Sequence, residues 1–376
     1  MIPLFKVFMA EEAVEAAQQV LGSGYIGQGP KVEEFEERLR QAFESPVDVL
    51  TTNSCTSALD LALHMIGVRP GDIVVSTPQT CTATNTMIVN RGARIAWADV
   101  DSRTGLINPE SVGKLVERWH PKAIMAVDWG GATCDYDALT GFGVPVIEDA
   151  AHAFGSSHKG KPIASSEGTR ADYICWSFQA IKHLTTIDGG ALVCPDAKEE
   201  GEPVSPTERA RLLRWFGLDR RSSASFRCSQ DIQEAGYKYH MNDVSAAVGI
   251  ENLKEMGIVI DRHRRHAAIY GEELKDLKGI ELPPQSSNSS WWLYTILVDK
   301  RDAFEIFMKD RGIDVSQVHA RNDRHMAFKR ASIMNAPLYG LEAFSARQVS
   351  IPVGWWLNSE DLDKIIDAVK AWSKAL

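Results

Sequence analysis

Lys182 lies in WSFQAIKHLTTIDGGALV (176–193), a stretch without apolar periodicity, rich in hydroxyls and glycine, between two strand-like runs. A lysine held in a pocket at such a place has a lowered pKa, which suits a Schiff-base nucleophile and proton shuttle. Ser177, just upstream, adds a hydroxyl for an anion such as phosphate. Asp149 ends the apolar run VPVIED (144–149). An ionised carboxylate at a strand end can keep a heteroaromatic ring nitrogen protonated and make that ring an electron sink. His152 follows in IEDAAHAFGS, within reach of the same ring. The segment TTNSCTSALDLAL (51–63) passes from a strand-like run straight into an apolar-periodic helix. The N–H groups of that helix start, with the hydroxyls of Ser54, Thr56 and Ser57, make a ready anion site. Lys238, in GYKYHMNDVSAAVGIENL (236–253), could reach a phosphate from a neighbouring subunit. Each segment alone has a plainer use. Ser and Thr cap helices, Asp149 can cap the AAHAF helix, and lysines are mostly solvated.

These residues need a scaffold, and the chain supplies one. Residues 31–43, KVEEFEERLRQAF, place Val32, Phe35, Leu39 and Phe43 at helical spacing. Short apolar runs then alternate with helical stretches: 72–77, 94–100, 123–129, 144–149 and 171–178. That alternation predicts an α/β fold with a doubly wound, mostly parallel sheet, whose ligands bind beyond the carboxyl ends of the strands. A helical segment from about Asn242 to Leu277 follows, and the domain boundary falls within it. Residues 1–255 are read as the large domain and 256–376 as a smaller α+β domain. Trp291 and Trp292 begin a strand of that domain and pack into the junction.

Composition narrows the function. A formal charge of −9 argues against nucleic acid, whose phosphates demand basic surfaces. No apolar run approaches the roughly 20 residues of a membrane helix, and the N-terminus lacks the basic start of a signal peptide. Six scattered cysteines (Cys55, Cys81, Cys134, Cys175, Cys194 and Cys228) show no CxxC pair, so no disulfide framework or metal site is expected, and a reducing cytoplasm is the simplest setting. Two decoys are set aside. GSGYIG (22–27) has dinucleotide-fingerprint spacing but follows a helix, where glycines cap and turn. DRHRRHAAIY (261–270) is read as a solvated helix face rather than a metal site.

The order NSCTSAL, IEDAAHAFGS, SFQAIKHLTTIDGG, GYKYHMNDVSAAVG resembles the DegT/DnrJ/EryC1/StrS family of pyridoxal-phosphate (PLP) aminotransferases, which act on nucleotide-linked keto-sugars. The resemblance runs from GYIGQGPKVEEFE to VSQVHARNDRHMAF and implies fold type I. It makes Lys182 the Schiff-base lysine, Asp149 the partner of the pyridine nitrogen and His152 a neighbour of the phenolic oxygen. Cys55, Thr56 and Ser177 match phosphate-cradle positions. Lys238 stands where many members have an asparagine from the second subunit, which implies a homodimer with shared sites. The resemblance further implies L-glutamate as donor, a nucleotide-linked keto-sugar as acceptor and a ping-pong scheme. Two departures stand out. Thr80-Cys81 replaces an aromatic dipeptide that stacks on the cofactor, so either Cys81 or another side chain covers the ring. His183 adjoins Lys182 without replacing it, which keeps the chain among transaminases rather than dehydratases. In VSQVHARNDRHMAF (315–328), His319, Arg321 and Asn322 read either as a substrate loop, with Arg321 facing a carboxylate or diphosphate, or as a polar inter-domain loop. A cyclitol or modified base as acceptor, or a regulatory PLP-binding protein, are the competing readings.

Overall fold

Proline at the first turn presets φ for a helix, and Val32, Phe35 and Leu39 bury one stripe of the helix that follows Pro30. The computed structural model describes residues 1–195, 204–221, 229–333 and 337–376; Cys228 lies outside the described residues. The chain begins α1 (Glu12–Ser23), α2 (Pro30–Ala42), β1 (Leu50–Thr52), α3 (Cys55–Ile66), β2 (Ile73–Ser76), α4 (Thr82–Asn90), β3 (Arg94–Trp97) and α5 (Pro109–Trp119). It continues β4 (Ala123–Val127), α6 (Tyr136–Thr140), β5 (Val146–Asp149), β6 (Ser157–His158), β7 (Lys161–Pro162), β8 (Tyr173–Ser177) and β9 (Gly190–Val193). After α7 (Pro206–Leu213) come α8 (Asp243–Lys254), α9 (Met256–Glu273), β10 (Ile280–Glu281), β11 (Tyr294–Val298), α10 (Arg301–Asp310), α11 (Met326–Ala331), α12 (Tyr339–Arg347), β12 (Gln348–Ile351) and α13 (Ser359–Ala375).

The main sheet runs β1-β9-β8-β5-β4-β2-β3. The pairs from β8 to β3 are parallel, and only β9 runs against its neighbours. Neighbouring side chains leave on opposite faces. Val74, Met125, Ile147 and Cys175 pack under α3 and α7. Val75, Ala126 and Val146 pack under α5 and α6, and Trp176 and Ala191 under α2 and α8. Both faces are covered, so the doubly wound sheet expected from the sequence is present. Asp149 and Ser177 end parallel strands at the same edge, and the 178–189 connection leads from Ser177 to β9.

The sheet β10-β11-β12 is antiparallel and packs on α9, α10 and α13. Ile2 pairs with Ile313 and joins this second core, so the first residues of the chain lie on the far unit. The single helix expected from Asn242 to Leu277 is two helices broken at Glu255 and ending at Glu273. The DRHRRHAAIY face is only partly solvated. His263 and His266 are buried, with Nδ1 bonded to the carbonyls of Trp291 and Gly354. GSGYIG does close α1, with Gly24 in the left-handed region at φ 76°. Among the described residues no helix is long and apolar enough to cross a membrane.

Candidate active site

A cavity of about 320 Å³ opens where the starts of α3 and α4 meet the carboxyl ends of β4, β5 and β8. Nine residues singled out from the sequence line it: Ser54, Cys55, Thr56, Cys81, Asp149, His152, Ser177, Lys182 and His319. A larger hollow of about 510 Å³ lies between α2 and α7, but Arg211 and Arg214 there face Glu36 and are already paired.

Asp149 is buried at the end of β5. Its Oδ2 accepts from the Thr84 hydroxyl (2.7 Å), and its Oδ1 accepts from the Ala151 N–H (3.1 Å) and the Cys55 thiol (3.8 Å). Burial pushes its carboxyl upward, while those donors and Lys182 pull the other way. The Cys55 thiol is thus spent on Asp149, and what this residue can offer an anion is its backbone N–H.

Ser54 caps α3. Its oxygen accepts the Ser57 N–H at 3.1 Å, leaving the earlier N–H groups of the turn open to a ligand. Gly190, paired with Ser177 across β8 and β9, allows this helix start to sit against the sheet. A Cβ there would lie 2.5 Å from Cys55 N and from Ser54 C.

Lys182 is anchored through its backbone, whose N–H donates to the Gln179 carbonyl at 2.9 Å. Burial lowers its amine to about 8, against the opposing pull of Asp149, Cys81 and Cys55. At that value an appreciable fraction is the neutral amine near physiological pH. His183 turns to an edge-on contact with His263, with ring centroids 4.5 Å apart. His152 accepts weakly at Nδ1 from the Gly130 N–H (3.4 Å), and its ring lies parallel to His319 at 5.6 Å. Burial drives His152 well below its ordinary pKa and His319 to about 4, so both imidazoles are neutral.

Three expected site residues stand outside this cavity. Lys238 is exposed, in a bridge with Trp215, and its carbonyl accepts from Asn53 Nδ2 at 3.2 Å. The Arg321 guanidinium faces Asp323 (2.7 Å) and Glu342 (2.6 Å), so its charge is neutralised within the chain. Asn322 is fully buried and ties down the 78–80 loop: its N–H donates to Pro78 O and its Nδ2 to Thr80 O, both at 2.8 Å. It therefore supports the base of Cys81 rather than the cavity wall. Sequence reading missed Thr84, Gln179, Asp188 and the wall position of Trp292. Only Thr84 had a signal, one helical turn beyond Thr80 and Cys81.

A family model for the DegT/DnrJ/EryC1/StrS aminotransferases matches residues 8–370. The chain belongs to that family. AtS13 of Actinomadura melliaura is 38% identical, covering 99% of this chain and 98% of its own, with a TM-score of 0.89. The sugar aminotransferase CalS13 of Micromonospora echinospora is 33% identical over 99% and 100% of the two chains, with a TM-score of 0.88. Spr1654 of Streptococcus pneumoniae in its PLP-form is 25% identical, covers 100% and 99%, and superposes at 0.87. Pyridoxal phosphate is the family's cofactor, and the residues present fit it. There is an amine of lowered pKa for the aldehyde, a buried carboxylate for the pyridine nitrogen, and a helix start pressed against Gly190 for the phosphate.

Behind Asp149, on the other face of β5, the carboxyls of Glu148 and Asp128 face each other. Asp128 Oδ1 accepts from Tyr136 Oη (2.9 Å) and Cys134 N (3.0 Å). Asp128 Oδ2 and both Glu148 oxygens are buried without a partner, and the Thr169 hydroxyl donates to the Ile163 carbonyl instead. Two acceptor-only groups in contact need a shared proton, and burial raises both above the ordinary carboxylate range. The folded state then binds a proton that the unfolded chain has released. Stability is greatest below the unfolded carboxylate pKa and falls as pH rises toward the raised folded values, by up to about 1.4 kcal/mol per pH unit per proton. Glu148→Gln supplies an amide N–H to Asp128 and removes that dependence. Its melting temperature should gain on wild type steadily between pH 5 and pH 8; parallel curves would rule out the shared proton.

Proposed function

We propose that this enzyme moves an amino group from L-glutamate to a keto-sugar linked to a nucleotide, by a ping-pong scheme through Lys182. The observation that carries the reading is the Lys182 amine of lowered pKa in one cavity with the buried Asp149 carboxylate. The sugar aminotransferase CalS13, similar over the whole chain, supports a sugar acceptor.

Bound pyridoxal phosphate supplies an aldehyde for an amine and a ring that accepts the electrons left when a Cα proton departs. The chain's own residues do the rest. The N–H groups at the start of α3, with Ser54, Thr56 and Ser177, hold the phosphate. Asp149 keeps a proton on the ring nitrogen, and His152 lies beside the ring. Lys182 Nζ would hold the cofactor's aldehyde at rest and, when free, would take the proton from glutamate Cα and, in the second half, return a proton to the sugar carbon that bears the new amine. His319 stands at the acceptor side of the cavity. Lys238, exposed on its own subunit, completes the phosphate cradle of the partner, so the working unit is a homodimer with shared sites. The same reading divides the chain near residue 255 and places the enzyme in the cytoplasm.

A colour assay tests the chemistry. The purified yellow protein should bleach with L-glutamate and regain its colour with a nucleotide keto-sugar drawn from a panel of such compounds. Recovery with a free cyclitol or a modified base alone would overturn the nucleotide-sugar assignment. Failure to bleach with any amino acid would overturn transamination.

A further inference from the structure

Trp292 belongs to the three-stranded unit, just ahead of β11, yet its ring forms part of the cavity wall. The backbone that aims it is unusual. Trp291 has φ 53°, in the left-handed region where a bulky residue is strained and where strain tends to mark function. Every polar atom of Trp291 is anchored. Its N–H donates to Ser289 Oγ (3.0 Å), its indole donates to Ser286 O (3.2 Å), and its carbonyl contacts His263 Nδ1 (2.9 Å). Trp292 itself donates its indole N–H to the carbonyl of Ile181, the residue before Lys182, at 3.0 Å. Its orientation is therefore fixed from both domains.

That fixed ring meets two side chains of the site. The His152 ring stacks on it with centroids 4.0 Å apart and planes 27° apart. The Lys182 amine lies 3.7 Å from its centroid. An ammonium at that distance from an indole face is held by the ring quadrupole, more strongly where water is excluded.

We propose that Trp292 is the positioning residue for Lys182, docking its amine on the indole face and setting its proton affinity whenever the amine is not bonded to the cofactor. The inference rests on the reading of Lys182 as the cofactor lysine. Two effects oppose each other on the docked amine. Burial favours the neutral form and the π-face favours the ammonium, so the balance leaves an amine that can both accept and return a proton. The indole N–H on Ile181 O keeps the 181–182 backbone still while the side chain swings between the cofactor and the ring.

The test replaces Trp292 with mono-, di-, tri- and tetrafluorinated tryptophan, which keeps the ring shape while draining negative charge from its face. In the full-length protein stripped of cofactor, cyanate modification of Lys182 is followed against pH by peptide mass spectrometry. The inference expects the Lys182 pKa to fall stepwise along the series, by about one unit at the most fluorinated ring. A merely structural tryptophan leaves it unchanged, and a flat series overturns the inference. Each variant is also reloaded with pyridoxal phosphate and reduced with borohydride. A label on Lys182 with a stepwise series supports the inference. A label on another lysine overturns the cofactor reading and the inference with it, an outcome distinct from a flat series.

Discussion

Lys182→Ala should remain folded and lose the glutamate half-reaction by on the order of ten-thousandfold, the upper range for a positioned acid–base group. The residue is in a loop, its structural hydrogen bond is made by its backbone N–H to Gln179 O, and alanine keeps that bond. Removing an amine that burial depresses also removes a desolvation cost, so the melting temperature should hold or rise. The chemical loss is large because one amine serves as nucleophile, base and acid in turn. In wild type the single-turnover rate with glutamate should climb as pH rises through about 8, where the amine becomes neutral. That inflection should vanish in Lys182→Ala, and a small primary amine added to the solution should restore part of the rate. A variant that transaminates glutamate at the wild-type rate would place the chemistry on another residue.

What the sequence made legible was local. Strand ends are set by short apolar runs, so the residue pattern alone places Asp149 and Ser177 at one sheet edge. Lys182 was legible because its loop has no period to explain a lysine. What stayed hidden depends on partners distant in sequence. Nothing local marks Glu255 as a break, since it is neither glycine nor proline; its φ of −96° and ψ of −5° end one helix and begin the next as Met256 packs into the core. His263 and His266 read as solvated because their partners, the carbonyls of Trp291 and Gly354, lie 28 and 88 residues away. Arg321 stood open between a substrate contact and a place in a polar inter-domain loop, and Glu342 closes on it from α12. Trp292 was read as a junction residue, and its contacts with Lys182 and His152 arise only when the two sheets are brought together.

Asp149→Asn isolates charge from shape. The asparagine keeps the volume, and its remaining carbonyl oxygen can still accept the Ala151 N–H now bonded at 3.1 Å. The Thr84 hydroxyl, which donates to Oδ2 at 2.7 Å and also contacts Thr80 Oγ1 at 2.8 Å, can turn to accept from the new amide. The fold should therefore tolerate the change, and removing a carboxyl that burial disfavours costs no stability. Cofactor binding should weaken only in part, because the α3 N–H groups and Lys182 are untouched. The rate should suffer far more, since an amide cannot hold a proton on the ring nitrogen against its departure. A loss of about a hundredfold corresponds to about 3 kcal/mol of transition-state stabilisation. Cofactor titration and single-turnover kinetics with glutamate separate the two effects. Loading the variant with pyridoxal phosphate methylated at the ring nitrogen, whose charge is permanent, should return part of the lost rate. Near wild-type turnover in Asp149→Asn with the ordinary cofactor would mean that a group other than this carboxylate holds the proton.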